Sequence, residues 1–395
     1  MKAWQLPLFA MASVSTVAYA VQPDGIMLGS GVTLLPGVEV SISDNSNIYL
    51  QENDETSSSI TAIRPNVALK ADLGVTQLKA YYELTSASYD ADSDDNYLDQ
   101  LLTLGGDVEM TSRQAIGLDF SLNKSHDPRG SGSLVGQTTV DPSEFSELTL
   151  GGDYTYGAAS AFANVTAYAS TYTKDYSNNS SLTDALNYDK TTFGAKLGLK
   201  VSSATRVLFE LRNAGISYSE DSGSIKDGSI MTLLAGASWD IAGKTTGDFK
   251  IGTTKRDFDH SSVDSDSRFA WEAGVTWTPR SYSVLNITTS ESANETTGPG
   301  SYNANQYTAV TWDHTFSPMW ALKANLSLNK DNFVVLTGTA SDRQDKTTTM
   351  GIAGIYSPNK VLDVKGGLEK ASRNSNTAGL DYDLQVLSLG VNLAF

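Results

Sequence analysis

Apolar and polar residues alternate with period two over stretch after stretch of this chain. Val38, Val40 and Ile42 alternate with Glu39, Ser41 and Ser43; Ile116, Leu118, Phe120 and Leu122 alternate with Gly117, Asp119 and Ser121. Phe193 to Val201, Phe269 to Trp277 and Trp320 to Leu328 repeat the pattern. A strand points successive side chains to opposite faces, so nine-residue alternation means strands with one apolar and one polar face. No stretch of comparable length shows a helical period, and no uncharged apolar run downstream of the N-terminus approaches the roughly 18–20 residues of a membrane helix. A chain of this kind folds as a soluble β domain, a surface protein, or a barrel that crosses a membrane with strands.

The connections decide between these. Short ones (Asp72 to Val75, Ser112-Arg113, Ala242 to Thr245, Pro279-Arg280, Ser317 to Met319) take turns with long polar ones (Asp44 to Ser57, Asp90 to Asn96, His126 to Glu144, Asp175 to Asn187, Glu220 to Gly228, Ser292 to Asn303, Asp331 to Lys346). Strict alternation of short and long puts every tight turn at one end of a closed sheet, the asymmetry of outer-membrane barrels. The expected fold is all-β: one antiparallel transmembrane β-barrel of about 18 strands with long acidic extracellular loops. The strands are expected near 30–43, 58–72, 76–90, 99–112, 113–125, 146–157, 160–174, 188–201, 205–219, 229–241, 247–258, 267–278, 281–292, 304–316, 320–332, 346–357, 360–373 and 380–395.

Residues 1–20 read as a cleaved signal peptide, leaving a single barrel domain over 21–395. Lys2 supplies the positive start, Ala3 to Val17 is mostly apolar, and Ala18-Tyr19-Ala20 is a cleavage pattern with Ala18 and Ala20 at its small positions. Losing Lys2 leaves 27 basic residues against 45 acidic ones, a net charge of −18. That balance excludes a nucleic-acid partner, which needs clustered Lys and Arg. The chain has no cysteine, so disulfides and thiolate sites are excluded. Localisation in the Gram-negative outer membrane follows as an expectation, with outer-membrane lipid and lipopolysaccharide as surroundings.

Aromatics cluster at strand ends. Tyr156, Trp239, Trp277, Phe316, Trp320, Tyr356 and Phe395 fall near short turns; Tyr89, Tyr176, Tyr188, Tyr218, Phe258, Phe269, Tyr307 and Tyr382 fall near long loops. Two lipid-facing girdles are expected from them. The last strand reads Ser388-x-Gly390-x-x-Leu393-x-Phe395. It resembles the C-terminal signal that the outer-membrane barrel assembly machinery recognises, which makes that machinery an expected partner.

Strand parity nominates lumen-facing charges: Lys79, Glu83, Asp119, Lys196, Glu210, Arg212, Glu272, Lys323, Asp363, Lys365 and Glu369. Asp90-x-Asp92-x-Asp94 starts like a calcium loop, but Asp95 stands where the glycine of position 6 belongs and Leu101 where the glutamate of position 12 belongs; Asp90, Asp92 and Asp94 are the only metal candidates. No nucleophile, phosphate-binding, zinc or dinucleotide motif occurs, so neither catalysis nor a cofactor is expected.

Leu35-Pro36-Gly37-Val38-Glu39-Val40, Asp44 to Ile48, Ile60 to Leu69, then Tyr82, Tyr89 and Asp94 to Asp99 carry a family resemblance. The first third of the chain resembles the putative β-barrel porin 2 family of Gram-negative bacteria, whose members are often encoded beside capsule or exopolysaccharide genes. The resemblance implies an outer-membrane barrel without catalytic residues. It also implies an exopolysaccharide export conduit, with a periplasmic polysaccharide export protein as a partner. A lumen without an aromatic slide, most aromatics mapping to the girdles and Tyr81 being one exception, favours passage of a polymer; a general or solute-specific porin and a non-conducting surface barrel are the alternatives.

Overall fold

A computed structural model describes residues 23–219, 225–298, 300–336 and 342–395. The signal segment 1–20, with Ala18 and Ala20, lies outside the described residues, as do 220–224 and 337–341 in two of the long connections. The strands are β1 Ile26–Gly29, β2 Val32–Asn45, β3 Ser58–Asp72, β4 Thr76–Tyr89, β5 Tyr97–Thr111, β6 Gln114–Asp127, β7 Ser143–Tyr156, β8 Ala163–Tyr176, β9 Tyr188–Lys200 and β10 Thr205–Tyr218. They continue as β11 Gly228–Ile241, β12 Thr245–Phe258, β13 Asp266–Arg280, β14 Ser283–Asn294, β15 Tyr302–Ser317, β16 Trp320–Val334, β17 Arg343–Tyr356, β18 Leu362–Ser375 and β19 Tyr382–Ala394.

Each strand from β2 to β19 pairs antiparallel with the next. The sheet closes when β19 pairs with β2, from Val386 opposite Asn45 to Ala394 opposite Gly37. This is an 18-stranded closed barrel, as the alternation requires. The nineteenth strand, β1, was not anticipated. It folds back on the start of β2, Ile26 opposite Leu34, in the gap that β19 leaves beyond Gly37. The Phe395 N–H donates to the Pro36 carbonyl at 3.0 Å just where the two meet. β1 and Phe395 therefore both satisfy the backbone of one strand at the seam.

Short turns gather at one end of the barrel. At the β11–β12 turn, Ala242 and Gly243 have φ of 53° and 64°, the left-handed pair that a type I′ hairpin needs, and Lys244 N–H closes the turn on the Ile241 carbonyl at 3.0 Å. All described helical turns (Ser93–Asp95, Gly132–Leu134, Ser180–Thr183, Asp184–Leu186) lie in the long connections at the other end.

The apolar parity faces outward. Leu118, Leu150, Phe193, Phe209, Leu211, Leu387 and Leu389 are exposed large side chains on the outer surface. Among the described residues no helix is long and apolar enough to cross a membrane. The barrel crosses with strands, each of which pairs with a neighbour on either side to close the ring.

One seam departs from the regular ring. The β12–β13 ladder runs to Arg256–Asp266 and the β14–β15 ladder to Asn294–Asn303, at the long-loop end. The β13–β14 ladder between them stops at Glu272–Ser290. Beyond that point the ends of β14, β15 and β16, open on the β13 side but still paired with β17 as far as Phe333–Arg343, curl inward over the lumen.

Candidate functional site: the lumen

All eleven charges nominated by parity have the inward-facing register. Five elements of wall bring some of them into one lattice. Glu210 on β10 accepts from Lys250 Nζ on β12 at 2.7 Å and from the Tyr168 hydroxyl on β8 at 2.7 Å. Lys250 also reaches Glu272 on β13 at 2.6 Å, and Arg212 bonds Glu272. Lys196 on β9 stands directly opposite Glu210 and lies 4.0 Å from its carboxylate. Glu210 and Lys250 are 5% and 7% exposed, so the lattice is a packed layer and not a fringe of solvated side chains. In this setting each charge is held by its partners, and losing one strands the others. Lys250 and Tyr168 are the members that the sequence reading missed. Both have the lumen parity, flanked by outward Phe249 and Ile251 in the first case, so the signal was present.

The remaining nominees do not join that lattice. Lys79 and Glu83 share β4, and Glu83 accepts from the Tyr81 hydroxyl at 2.5 Å. On the adjoining wall Glu39 holds Arg64 at 2.8 Å. Asp119 on β6 stands between Gly105 on β5 and Gly151 on β7, which leaves its carboxylate room. Lys323 is opposite Asp313 in the β15–β16 register. Asp363 is buried near the short-turn end, where it accepts from the Ser357 hydroxyl. Lys365 faces the lumen opposite Gly390, and Glu369 opposite Val386. In the last strand, Ser388 and Gly390 share that inward face, while Leu393 and Phe395 point out and are exposed.

The aromatics require a correction. At the short-turn end Tyr156, Trp277, Phe316, Trp320 and Phe395 are exposed on the outer surface, as a girdle should be. At the long-loop end only Phe269 is outward. Tyr176, Tyr188 and Tyr218 carry the same parity as Glu210 and line the inside. Tyr172, Tyr188 and Tyr218 form a chain of rings with centroids 5.5 and 5.4 Å apart. Tyr89 and Tyr97 continue the inward row at 6.3 Å, with His126 4.1 Å beyond Tyr97. The hydroxyls donate to carboxylates: Tyr172 to Glu147 at 2.7 Å, Tyr176 to Asp127 at 2.8 Å, Tyr218 to Glu295. Parity outranks proximity to a loop, because a ring cannot leave the face to which its backbone position assigns it.

The long connections above β2 to β6 interlock around Arg129. Its guanidinium donates to Asp92 at 2.8 Å, to the Tyr49 hydroxyl at 3.1 Å and to Asp141 at 3.3 Å, and Asp95 lies 3.4 Å from Nε. The backbone N–H of Asp94 and then Arg129 hold the Asp92 carboxyl below its ordinary range, whereas burial pushes Asp95 up. Burial also raises Tyr49, followed by its hydrogen bond to Asp95. Thus Asp92, from the calcium-like run, is engaged by a cation of the chain itself. Among the described residues no group of three or more His, Asp or Glu side chains is arranged to hold a metal ion. Arg129→Ala should therefore loosen the loops without opening the barrel: proteinase K cleavage within 128–142 should accelerate about tenfold, with the heat-modifiable barrel band unchanged. Equal cleavage rates would remove Arg129 from that role.

A closed antiparallel barrel with an apolar outer belt, tight turns at one end and a polar, charge-laced interior defines a porin-like outer-membrane barrel. The chain belongs to the family described as Putative beta-barrel porin 2, whose profile matches residues 19–395. The match extends the resemblance read in the first third to the whole barrel. No curated protein matches the chain. Among solved structures it is similar to OccK2 (OpdF) of Pseudomonas aeruginosa, at 11% identity over 93% of this chain and 98% of that one, with a TM-score of 0.49. It is also similar to OpdQ of the same organism, at 12% identity, 93% and 98% coverage and a TM-score of 0.47. The siderophore receptor PirA of Acinetobacter baumannii is similar at 8% identity, 92% and 80% coverage and a TM-score of 0.46.

Proposed function

We propose that this protein is a passive channel of the Gram-negative outer membrane for small hydrophilic solutes. The observation that carries the reading is the extracellular half of the lumen. There, Arg256 on the wall and Tyr302 on the infolded end of β15 are each 1% exposed, and tyrosines paired with carboxylates line the wall beside them. A hydrated polymer in transit needs a wide bore with weak, evenly spread contacts. A narrowed bore with aromatic faces and oriented charges instead suits solutes of a few rings or fewer, which stack and hydrogen-bond in passing. The lumen tyrosines take away the reason for preferring an exopolysaccharide conduit, which remains the second reading on the strength of the family's gene neighbourhoods.

Two measurements separate them. Purified protein in liposomes should admit mono- and disaccharides or amino acids and exclude long oligosaccharides. A clean deletion in the native host should leave surface polysaccharide intact. Loss of surface polymer, with normal entry of small solutes, would replace the channel reading with the export one, and with it would come a periplasmic export partner.

We further propose that insertion depends on Phe395. Its N–H closes the seam on Pro36, and its ring is 53% exposed on the lipid side at the short-turn end. Phe395→Ala should lower outer-membrane levels several-fold, with protein accumulating as periplasmic degradation products. Unchanged levels of heat-modifiable barrel would show that the assembly machinery does not read this ring.

A further inference from the structure

The outward-facing row of β16 reads Leu326, Leu328, Lys330, Asn332, Val334. Leu326 and Leu328 are exposed to the lipid side, yet Val334 is buried. The change happens because the wall curls inward here, with β16 still paired to β15 as far as Tyr302–Val334 and to β17 as far as Phe333–Arg343. Val334, with Ala293, Tyr302 and Ala304 of the same corner, packs against Ala214, Ile216, Tyr218 and Ile230. Those four lie on the lumen face of β10 and β11, which are three or more strands away along the wall. The outer face of one part of the barrel thus lies on the inner face of another. The corner is fastened at its tip: Glu295 pairs with Arg256 at 3.4 Å and accepts from the Tyr218 hydroxyl.

We propose that the ends of β14, β15 and β16 form a hinged gate over the lumen, pivoting where the β13–β14 ladder stops and latched by Glu295 on Arg256 and Tyr218. The proposal rests on the channel reading above and gives that channel its regulation. Beside the pivot, β13 from Asp266 to Trp271 pairs with β12 but has no β14 partner, and its Arg268 Nε donates at 2.6 Å to the Tyr302 hydroxyl of the gate, which in turn donates to Asp266. Trp271 Nε1 donates to Thr289 Oγ1 at 3.1 Å across the base of the split. The closed position is opposed as well as favoured. Apolar burial holds it shut. Against this, Arg256 Nε, Glu295 Oε1, Asn294 Oδ1, Asn303 Oδ1 and Asn332 Oδ1 are buried with no hydrogen-bond partner among the described residues. Buried polar atoms without partners cost free energy that access to water returns. The corner is thus held by two polar latches, Glu295 on Arg256 and Tyr218 and Tyr302 on Arg268 and Asp266, and by one apolar patch, and opening would exchange these contacts for water at the unpaired polar atoms.

The chain has no cysteine, so introduced thiols are unique. Phe258→Cys with Tyr302→Cys places one thiol on the wall and one on the gate, at positions whose rings are 6.5 Å apart. In planar bilayers, a short cleavable bis-maleimide linking them should hold the channel at a constant low conductance that recovers on cleavage. Tyr218→Phe with Glu295→Ala should raise the time spent at the larger conductance about tenfold or more, because Arg256 then regains solvation only on opening. Ala214→Cys, beneath the gate, should react with an added maleimide faster in the unlatched background by a similar factor. Conductance indifferent to the crosslink, or equal labelling of Ala214→Cys in both backgrounds, overturns the gate while leaving the channel standing. A protein silent in every form removes the channel reading, and the labelling rates then decide the gate alone.

Discussion

Lys250→Met should destabilise the barrel by about 3 kcal/mol, the lower end of what removing one partner of a buried ion pair costs. Lys250 is the cation shared by Glu210 and Glu272, at 2.7 and 2.6 Å. The methionine fills nearly the same volume, so packing is kept and charge alone is lost. Arg212 and Lys196 remain beside the two carboxylates and offset part of the penalty, which sets the lower end of the range. The measurement is the urea midpoint of barrel unfolding in lipid vesicles at constant slope. Glu210→Gln and Glu272→Gln added to Lys250→Met should restore most of the loss, since the uncompensated charges go with them. A single-variant effect below about 1 kcal/mol would mean that the layer is wet and screened and contributes little.

The lattice shows what a linear reading can and cannot recover. Parity alone placed Lys196, Glu210, Arg212 and Glu272 on one face, because side-chain direction follows from position along a strand. Which of them meet depends on register between strands, and register here is set by turns that differ in length by one or two residues. Lys250 had the right parity and was passed over. The tyrosines failed for a different reason: rings near strand ends were assigned to the lipid by depth, though Tyr176, Tyr188 and Tyr218 shared the parity of the lumen charges. The polymer-conduit expectation rested on that assignment together with the family resemblance and the width of the barrel.

The two remaining features could not be read along the chain at all. Arg129 and Asp92 are 37 residues apart, in separate connections, and only the packing of loops brings them together. The infolded corner leaves one trace, the row from Leu328 through Lys330 and Asn332 to Val334, where lipid-facing character lapses before the strand ends. That row says the strand leaves the bilayer early. It does not say toward which side, because inward folding depends on an apolar partner surface, Ala214 to Ile230, supplied by strands more than 60 residues earlier.

Facing can be tested at neighbouring positions of equal depth. Leu118 and Asp119 are adjacent on β6, and their register partners, Gly106 and Gly152 for the first and Gly105 and Gly151 for the second, offer each side chain open space. Leu118 is 60% exposed on the outer surface. Leu118→Arg puts a guanidinium into hydrocarbon and should cost about 2–4 kcal/mol near mid-membrane. Asp119→Arg keeps the charge in the aqueous lumen and should cost under about 1 kcal/mol. It should also shift the reversal potential of the open channel toward anions, because it replaces a negative charge on the wall with a positive one. The two stabilities come from the same unfolding titration, so depth, strand and detergent history cancel between them. Equal penalties would mean that the two faces of β6 see the same medium, which no water-filled barrel with a lipid-facing exterior can provide.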